Sequence, residues 1–320
     1  MQEKILVAGA LGQLGTELSI ALRGRYGINN VIAADLSETV QQTGFETMYR
    51  QLNVLDKSAL REIIQVEKIT QVYLLAAMLS ATSEQQPQRG WHLNMQSLLH
   101  VLEAAVELKV KKVFWPSSIA VFGPNAPKLQ CPQHAPLDPS TIYGISKMAG
   151  EQWCTWYHRK HGLDIRSIRF PGLISYGKPP GGGTTDYAVS IFYEALRCNT
   201  YECYLSAQTI LPMMYMKDAI RATIELMEAP AQNIRTRTSY NLAGLSFTPQ
   251  QLAVAISQHL PAFRVKYAPD FRQQIADSWP KSIDDKQAKQ DWGWKPAWDL
   301  ETMVADMLKH LKILIPDSIF

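Results

Sequence analysis

Short apolar runs alternate with amphipathic stretches along the first half of the chain. The apolar runs have the length and composition of strands that are buried on both faces of a sheet. Strands are predicted at residues 5–8, 31–35, 48–54, 71–76, 112–115 and 163–170. Between them, helices are predicted at residues 13–18, 58–67, 93–108 and 143–161, with Ser58 as a candidate N-cap. This alternation predicts an α/β fold with a doubly wound parallel sheet.

The pattern becomes less regular after about residue 172. Residues 179–183, Pro-Pro-Gly-Gly-Gly, form a strong breaker, and helices are predicted at 187–197 and 300–311. We therefore expect a first domain of residues 1–172 and a smaller C-terminal substrate-binding lobe of residues 173–320. Whether some strands and helices of the lobe return to the first domain is left open.

The first strand leads into a glycine-rich turn, Gly-Ala-Leu-Gly-Gln-Leu-Gly at residues 9–15. Glycines let the backbone approach a phosphate, and the helix that follows presents free N–H groups and its positive dipole end. A plain strand-to-helix connection would also explain the glycines. At the start of a β/α alternation, however, the turn favours a Rossmann-type dinucleotide site. The predicted cofactor contacts here are Gly9, Gly12, Gln13, Leu14 and Gly15.

Asp35 ends the second strand, about 20 residues after the last glycine of the turn. A carboxylate at this place can accept hydrogen bonds from both ribose hydroxyls of an adenosine and would repel a 2′-phosphate. Because Leu36 follows and no arginine is near, we predict NAD instead of NADP, although Asp35 could simply cap a loop. Ligands collect at the carboxyl ends of parallel strands, which adds Asn53, Val54, Ala76 and Ala77 to the predicted NAD site.

Tyr143 and Lys147 lie one helical turn apart, in the sequence Tyr-Gly-Ile-Ser-Lys. An ammonium beside a phenol stabilises the phenolate and lowers its pKa from about 10 toward neutrality, so Tyr143 is a candidate general base. Such pairs are frequent by chance. Ser117 and Ser118 add weight, because they stand about 25 residues earlier at a predicted strand end. We expect Ser118, Tyr143 and Lys147 to meet at the nicotinamide.

Composition narrows the choice of partners. Apolar residues make up 46% and charged residues 19% of the 320 residues, and the net charge of +3 comes without Lys/Arg runs, so no nucleic-acid partner is expected. No apolar stretch reaches the ~18 residues that span a bilayer, so no membrane partner is expected. The four cysteines suit neither a metal site nor a disulfide framework, and we predict free thiols in a cytoplasmic protein without bound metal. A mature mitochondrial form stays an alternative.

Together these motifs resemble the extended branch of the short-chain dehydrogenase/reductase superfamily, and the likeness runs over nearly the whole chain. Residues 117–123, 215–219 and 292–296 are similar to its serine strand and its C-terminal motifs. Within the branch, the short-chain-type L-threonine 3-dehydrogenases fit best. The residues that carry this likeness are 75–80, 116–118, 169–175 and, most specifically, Gly-Gly-Gly-Thr-Thr-Asp-Tyr-Ala at 181–188.

The resemblance implies NAD-dependent oxidation of the 3-hydroxyl of L-threonine to 2-amino-3-oxobutanoate. Tyr143 would take the hydroxyl proton, Ser118 would hydrogen-bond the hydroxyl, and Lys147 would bind the nicotinamide ribose. Leu75 and Pro171 join the predicted cofactor contacts. The predicted substrate contacts are Ser80, Ser117, Ser118, Tyr143, Thr184, Thr185 and Asp186. The segment 184–186 could instead cap the next helix, the glycines before it suggest a lid, and Trp279 is interpreted as packing.

Two other functions remain open at this point. A nucleotide-sugar epimerase or dehydratase of the same fold would need basic residues in the smaller lobe, but residues 184–216 contain only Arg197. A non-catalytic NAD-binding regulator would commonly lack the tyrosine or the lysine. The resemblance also implies a homodimer, formed by the helices at 93–108 and 143–161.

Overall fold

The computed structural model describes residues 3–38 and 47–314. The helices in these residues are α1 (Gln13–Tyr26), α2 (Lys57–Val66), α3 (Ser80–Gln85), α4 (Pro87–Glu107), α5 (Ile142–His161), α6 (Tyr187–Cys198), α7 (Met216–Glu228), α8 (Pro249–His259), α9 (Arg272–Ser278), α10 (Lys286–Trp292) and α11 (Leu300–Leu314). The strands are β1 (Ile5–Ala8), β2 (Val31–Asp35), β3 (Tyr49–Gln51), β4 (Gln71–Leu74), β5 (Lys112–Phe114), β6 (Ser117–Ser118), β7 (Asp164–Arg166), β8 (Ile168–Phe170), β9 (Gly172–Ile174), β10 (Thr200–Cys203), β11 (Leu211–Tyr215), β12 (Tyr240–Asn241), β13 (Leu245–Phe247) and β14 (Arg264–Tyr267).

A six-stranded sheet with the order β3-β2-β1-β4-β5-β7 forms the centre of the fold, and all of its strands are parallel. Successive side chains of a strand point to opposite sides, and β1 and β4 are buried at every position, so both faces of the sheet are covered at its centre. On β1, Ile5 and Val7 pack in one apolar cluster with α1 and α7, whereas Leu6 and Ala8 pack in another with α2, α4 and α5. The predicted doubly wound α/β fold is confirmed.

The second half of the chain adds smaller sheets and a third apolar cluster. Strands β13, β11 and β9 form one sheet, β12, β8 and β6 form another, and β10 pairs with β14. Helix α7 packs against α1, and Trp294 is buried in the same cluster as Ile5. Elements from the second half therefore cover one face of the central sheet, and the domain boundary at residue 172 stays a prediction.

Several predicted elements differ in their bounds. The third strand is only three residues long, and helix α4 begins at Pro87 instead of residue 93. Asp56, not Ser58, caps α2, because its carboxylate accepts hydrogen bonds from the N–H groups of Ser58 and Ala59, both at 3.0 Å.

The strand predicted at 163–170 divides at Ser167. Its first part, β7, pairs with β5 in the central sheet, whereas β8 pairs with β6 and brings Ser118 opposite Phe170. The division places Ser117 and Ser118 beside the segment that continues into Pro171.

In the part of the chain that the structure describes, no helix is long and apolar enough to cross a membrane, and no group of His, Cys, Asp or Glu suits a metal ion. The cysteines are free thiols, as predicted; Cys198 is exposed and Cys131, Cys154 and Cys203 are buried.

Candidate active site

The glycine turn between β1 and α1 forms a tight cradle. Gly9 has φ +90°, and a Cβ there would lie 2.5 Å from the backbone N of Ala76. A Cβ on Gly15 would collide with the carbonyl oxygen of Gly9. Within the described residues, no side chain caps α1 and its first turn contains no acidic residue, so its N–H groups and dipole face the turn. This geometry fits a dinucleotide diphosphate.

Asp35 connects the second strand to this turn. Its Oδ2 accepts a hydrogen bond from the N–H of Leu11 at 2.8 Å, and its Oδ1 accepts one from the N–H of Leu36 at 2.8 Å. The carboxylate therefore does stabilise a loop, and this contact also holds it beside the turn. Asn53 turns back on its own loop, where its Oδ1 accepts from the N–H of Leu55 at 3.0 Å, and Val54 is buried.

One cavity of about 730 Å³ extends from the glycine turn to the smaller lobe. The predicted site residues that line it are Gly9, Gly12, Gln13, Leu14, Gly15, Leu75, Ala77, Ser80, Ser117, Ser118, Tyr143, Lys147, Pro171, Thr185 and Asp186. The predicted residues outside its lining are Asp35, Leu36, Asn53, Val54, Ala76 and Thr184. The structure thus brings the predicted catalytic residues into the cavity that contains the glycine turn.

Helix α5 positions the candidate base and lysine. Thr141 caps the helix by accepting a hydrogen bond from the N–H of Gly144 at 3.0 Å. Lys147 is buried, and its Nζ donates to the carbonyl oxygen of Pro116 at 2.6 Å. The same Nζ lies 5.5 Å from the centre of the Tyr143 ring, and Ser118 hydrogen-bonds the Tyr143 hydroxyl. Ser118, Tyr143 and Lys147 therefore form one constellation.

The ionisation of this constellation differs from the sequence-based prediction. Burial raises the pKa of the Tyr143 hydroxyl to about 12, and the hydrogen bond from Ser118 opposes this rise only in part. Burial also lowers the pKa of Lys147 to about 7. The prediction that Lys147 moves the pKa of the phenol toward neutrality is therefore wrong, because burial is the largest cause of the pKa shift in each group.

A buried ion pair supports the serine strand. Glu151 accepts hydrogen bonds from Arg169 Nε at 2.8 Å and Nη2 at 2.7 Å, and both side chains are buried. The hydroxyl of Ser117 donates to the same carboxylate at 2.7 Å. Ser117 was predicted as a substrate contact, but its hydroxyl is engaged in this network, which holds the residue next to Ser118.

Ser80 contacts the predicted substrate residue Thr184, which lies in the predicted smaller lobe. The hydroxyls of Ser80 and Thr184 lie 3.1 Å apart, and the N–H of Thr184 also donates to Ser80 Oγ. Asp186 Oδ2 accepts hydrogen bonds from the N–H groups of Gly182 at 2.8 Å and Gly183 at 2.7 Å. Asp186 thus orders the glycine loop instead of capping α6 with its side chain. Thr185 keeps its place in the cavity lining.

Sequence reasoning interpreted Trp279 as packing and did not single out Lys178 or Asn94. Trp279 lines the cavity, and its buried indole N–H has no hydrogen-bond partner among the described residues. Lys178 lines it as well. Asn94 exchanges hydrogen bonds with the backbone of Met78, at 2.8 and 3.1 Å, and so fixes one wall of the cavity. The Trp-Pro pair at 279–280 was the available signal; no local pattern marks Asn94 or Lys178.

The comparisons with known proteins agree with this geometry. A model of the NAD-dependent epimerase/dehydratase family matches residues 5–243. The chain belongs to this family. It is therefore an enzyme whose cofactor is NAD. The cradle at the glycine turn fits the diphosphate of this cofactor. The predicted likeness to the extended dehydrogenase branch is confirmed.

Three proteins are similar to the chain over nearly its whole length. A GalE-like L-threonine dehydrogenase from Cupriavidus necator, in its holo form, superposes with a TM-score of 0.94 at 56% identity and covers 97% of this chain and 100% of that one. A monomeric L-threonine 3-dehydrogenase from a metagenome database has a TM-score of 0.93 at 45% identity, covering 97% and 99%. An uncharacterised epimerase/dehydratase of Staphylococcus haemolyticus is 44% identical, covering 97% and 98%.

Proposed function

We propose that the chain is an NAD-dependent L-threonine 3-dehydrogenase, which oxidises L-threonine to 2-amino-3-oxobutanoate. The observation that carries this proposal is the single cavity that joins the glycine turn, the Ser118, Tyr143 and Lys147 constellation, and Thr185 of the smaller lobe. A cavity of about 730 Å³ is large enough for the nicotinamide end of NAD together with a small amino acid. The L-threonine dehydrogenases among the solved structures at 56% identity support the same substrate class.

The chain supplies a proton acceptor and a donor at the reacting hydroxyl. Bound NAD⁺ supplies the hydride acceptor and a positively charged nicotinamide ring. Tyr143 takes the proton of the substrate 3-hydroxyl as its C3 hydride leaves, so the C–H and O–H bonds break and a carbonyl forms. Ser118 donates a hydrogen bond to the same oxygen and steadies it as its charge changes. Lys147 holds positive charge near the Tyr143 ring when it is protonated.

The polar residues of the smaller lobe orient the amino acid. The Thr185 hydroxyl and the Trp279 N–H are donors suited to the substrate carboxylate, since both belong to the cavity lining. Ser80 and Thr184 already satisfy each other and so shape the wall between α3 and the glycine loop. The Asp186 carboxylate, held by two backbone N–H groups, places negative charge on the side that receives the ammonium group.

A panel assay tests the function. The protein is incubated with NAD⁺ and separately with L-threonine, D-threonine, L-serine or a UDP-sugar, and NADH absorbance and product formation are followed. We expect NADH to form with L-threonine. Turnover of the UDP-sugar without any reaction of L-threonine would instead establish the nucleotide-sugar enzyme, and NADH binding without turnover of any substrate would favour the regulator.

We also infer a homodimer through α4 and α5. These helices pack side by side, and Trp91, Trp153 and Trp156 are exposed on them. Large exposed aromatic residues are typical of the centre of an interface. Since one relative is monomeric, the test is light scattering across protein concentrations: a constant monomer mass would contradict the inference.

A further inference from the structure

The charged side chains that line the cavity differ in how fully they are bonded. They are Lys147, Lys178 and Asp186. The Lys147 ammonium donates to the Pro116 carbonyl, and the Asp186 carboxylate accepts two backbone N–H groups of the glycine loop. Lys178 makes neither a hydrogen bond nor an ion pair with any residue in the described ranges. It is a half-buried cation that faces the cavity without a counter-charge.

The backbone before Lys178 lies against the start of α1. The Ser175 hydroxyl hydrogen-bonds the Glu17 carboxylate, and the N–H of Gly177 donates to Ser175 Oγ at 2.9 Å. A Cβ on Gly177 would lie 3.0 Å from Glu17 Oε1. Glu17 belongs to the second turn of α1, which begins at Gln13. The chain therefore brings Lys178 to the helix end that faces the glycine turn.

That helix end is an incomplete anion site. The α1 dipole contributes roughly half a positive charge, and the first-turn N–H groups add hydrogen-bond donors. Both phosphates of a dinucleotide are ionised at neutral pH, so the turn neutralises only part of their charge. A cation on the opposite wall of the same cavity would supply the remainder, and Lys178 is the cavity cation that has no other partner among the described residues.

We propose that Lys178 binds the diphosphate of NAD from the side of the smaller lobe, opposite the glycine turn. Lys178 stands three residues before Gly181, where the glycine loop begins. Cofactor binding thereby fixes the base of the loop that borders the substrate end of the cavity. The proposal rests on the NAD of the family and not on the identity of the substrate.

Binding measurements on Lys178→Met, Lys178→Arg and Lys160→Met test this assignment. Lys160 lies at the exposed end of α5, outside the cavity lining, and its variant removes the same charge elsewhere. The ligands are NADH, followed by its fluorescence, and ADP-ribose and adenosine as competitors. For Lys178→Met we expect the Kd of NADH and of ADP-ribose to rise roughly 5- to 30-fold, the range for a charge-assisted contact at a partly exposed site.

Three further results are expected. The Kd of adenosine, which has no phosphate, stays unchanged; Lys178→Arg binds NADH as the parent protein does; and the Lys178→Met affinity depends less steeply on salt. An unchanged Kd for NADH in Lys178→Met, or an equal loss in Lys160→Met, would overturn the proposal. So would an unchanged Kd for NADH with a raised KM for L-threonine, because Lys178 would then bind the amino acid. Since the Kd measurements need no turnover, failure of the proposed function leaves them interpretable.

Discussion

Replacement of Glu151 by Gln tests how much the buried ion pair contributes to the folded state. Glu151 has a fully buried side chain, and the side chain of Arg169 is 4% exposed. The Gln variant keeps the shape of the side chain but removes its charge and turns one acceptor into an NH₂ donor. That NH₂ group must then face either an Arg169 donor or the Ser117 hydroxyl.

The expected loss is large because Arg169 stays buried. In the variant, Arg169 Nη1 can still donate hydrogen bonds to the backbone carbonyl oxygen of Gln133, at 2.9 Å in the parent protein, and to Asn241 Oδ1, at 3.1 Å in the parent protein, but both acceptors are neutral. Breaking a buried pair by removal of one charge costs about 3–5 kcal/mol of unfolding free energy. Two neutral acceptors remain for Arg169, and the Gln side chain keeps one oxygen. We therefore expect the unfolding free energy to fall by about 3 kcal/mol, near the lower end of that range.

Urea unfolding followed by tryptophan fluorescence measures this value, with Glu202→Gln as the control. Glu202 pairs with Lys266 at 2.8 Å, but their side chains are 61% and 76% exposed. Water and salt screen such a pair, so its loss should cost far less unfolding free energy than the loss of the buried pair. If Glu151→Gln lowers the unfolding free energy by no more than Glu202→Gln does, the argument that desolvation sets the strength of these pairs is refuted.

Three other changes address the site directly. Tyr143→Phe should bind NADH with unchanged affinity and lose turnover by at least about 100-fold; retained turnover would remove Tyr143 as the base. Because burial raises the pKa of Tyr143 to about 12, its phenolate becomes more populated as pH increases, so L-threonine oxidation by the parent enzyme should rise from pH 6 to 9. The rise should be less steep above about pH 7, because burial lowers the pKa of Lys147 to about 7 and its charge is lost there; a rate that does not change with pH would contradict this. Asp35→Ala should lower the preference for NAD⁺ over NADP⁺ at least about tenfold in kcat/KM, since it removes the repulsion of a 2′-phosphate; an unchanged ratio would contradict that role. Trp279→Phe should raise the KM for L-threonine about tenfold through loss of an N–H donor to a carboxylate, whereas Trp292→Phe, which also loses a buried unpartnered N–H but lies outside the cavity lining, should not.

The parts of the fold that local patterns encode were predictable. A strand that is buried on both faces of a sheet is apolar along its buried length. Strand β1 is apolar throughout and β2 is apolar up to Asp35, so the parallel sheet could be predicted. Gly9 and Gly15 could be identified from their spacing in the turn after the first strand. The structure gives the steric reason: a Cβ on Gly9 would collide with the backbone of Ala76, and a Cβ on Gly15 would collide with the carbonyl oxygen of Gly9. The Tyr143 and Lys147 spacing is a helix property that needs no tertiary information.

Features set by contacts between distant segments could not be predicted in this way. The raised pKa of Tyr143 depends on burial that the whole cavity creates. The hydrogen bond from Ser117 to Glu151 joins residues that are 34 positions apart in the sequence, and the Ser80–Thr184 contact joins residues that are 104 positions apart. Trp279 follows α9, where the Lys128 ammonium donates to the carbonyl oxygen of Ser278 at 2.9 Å, so its position also depends on a distant segment.

The packing of α7 and Trp294 onto α1 has a consequence for synthesis of the protein. Ile5 and Val7 share their apolar cluster with residues from the second half of the chain, among them Ala219, Leu226 and Trp294. A nascent chain that ends at residue 172 already contains the glycine turn and Tyr143, but it lacks the part of this apolar layer that α7 and Trp294 supply. This face of the central sheet is therefore complete only after Trp294, in the last quarter of the polypeptide, has been synthesised.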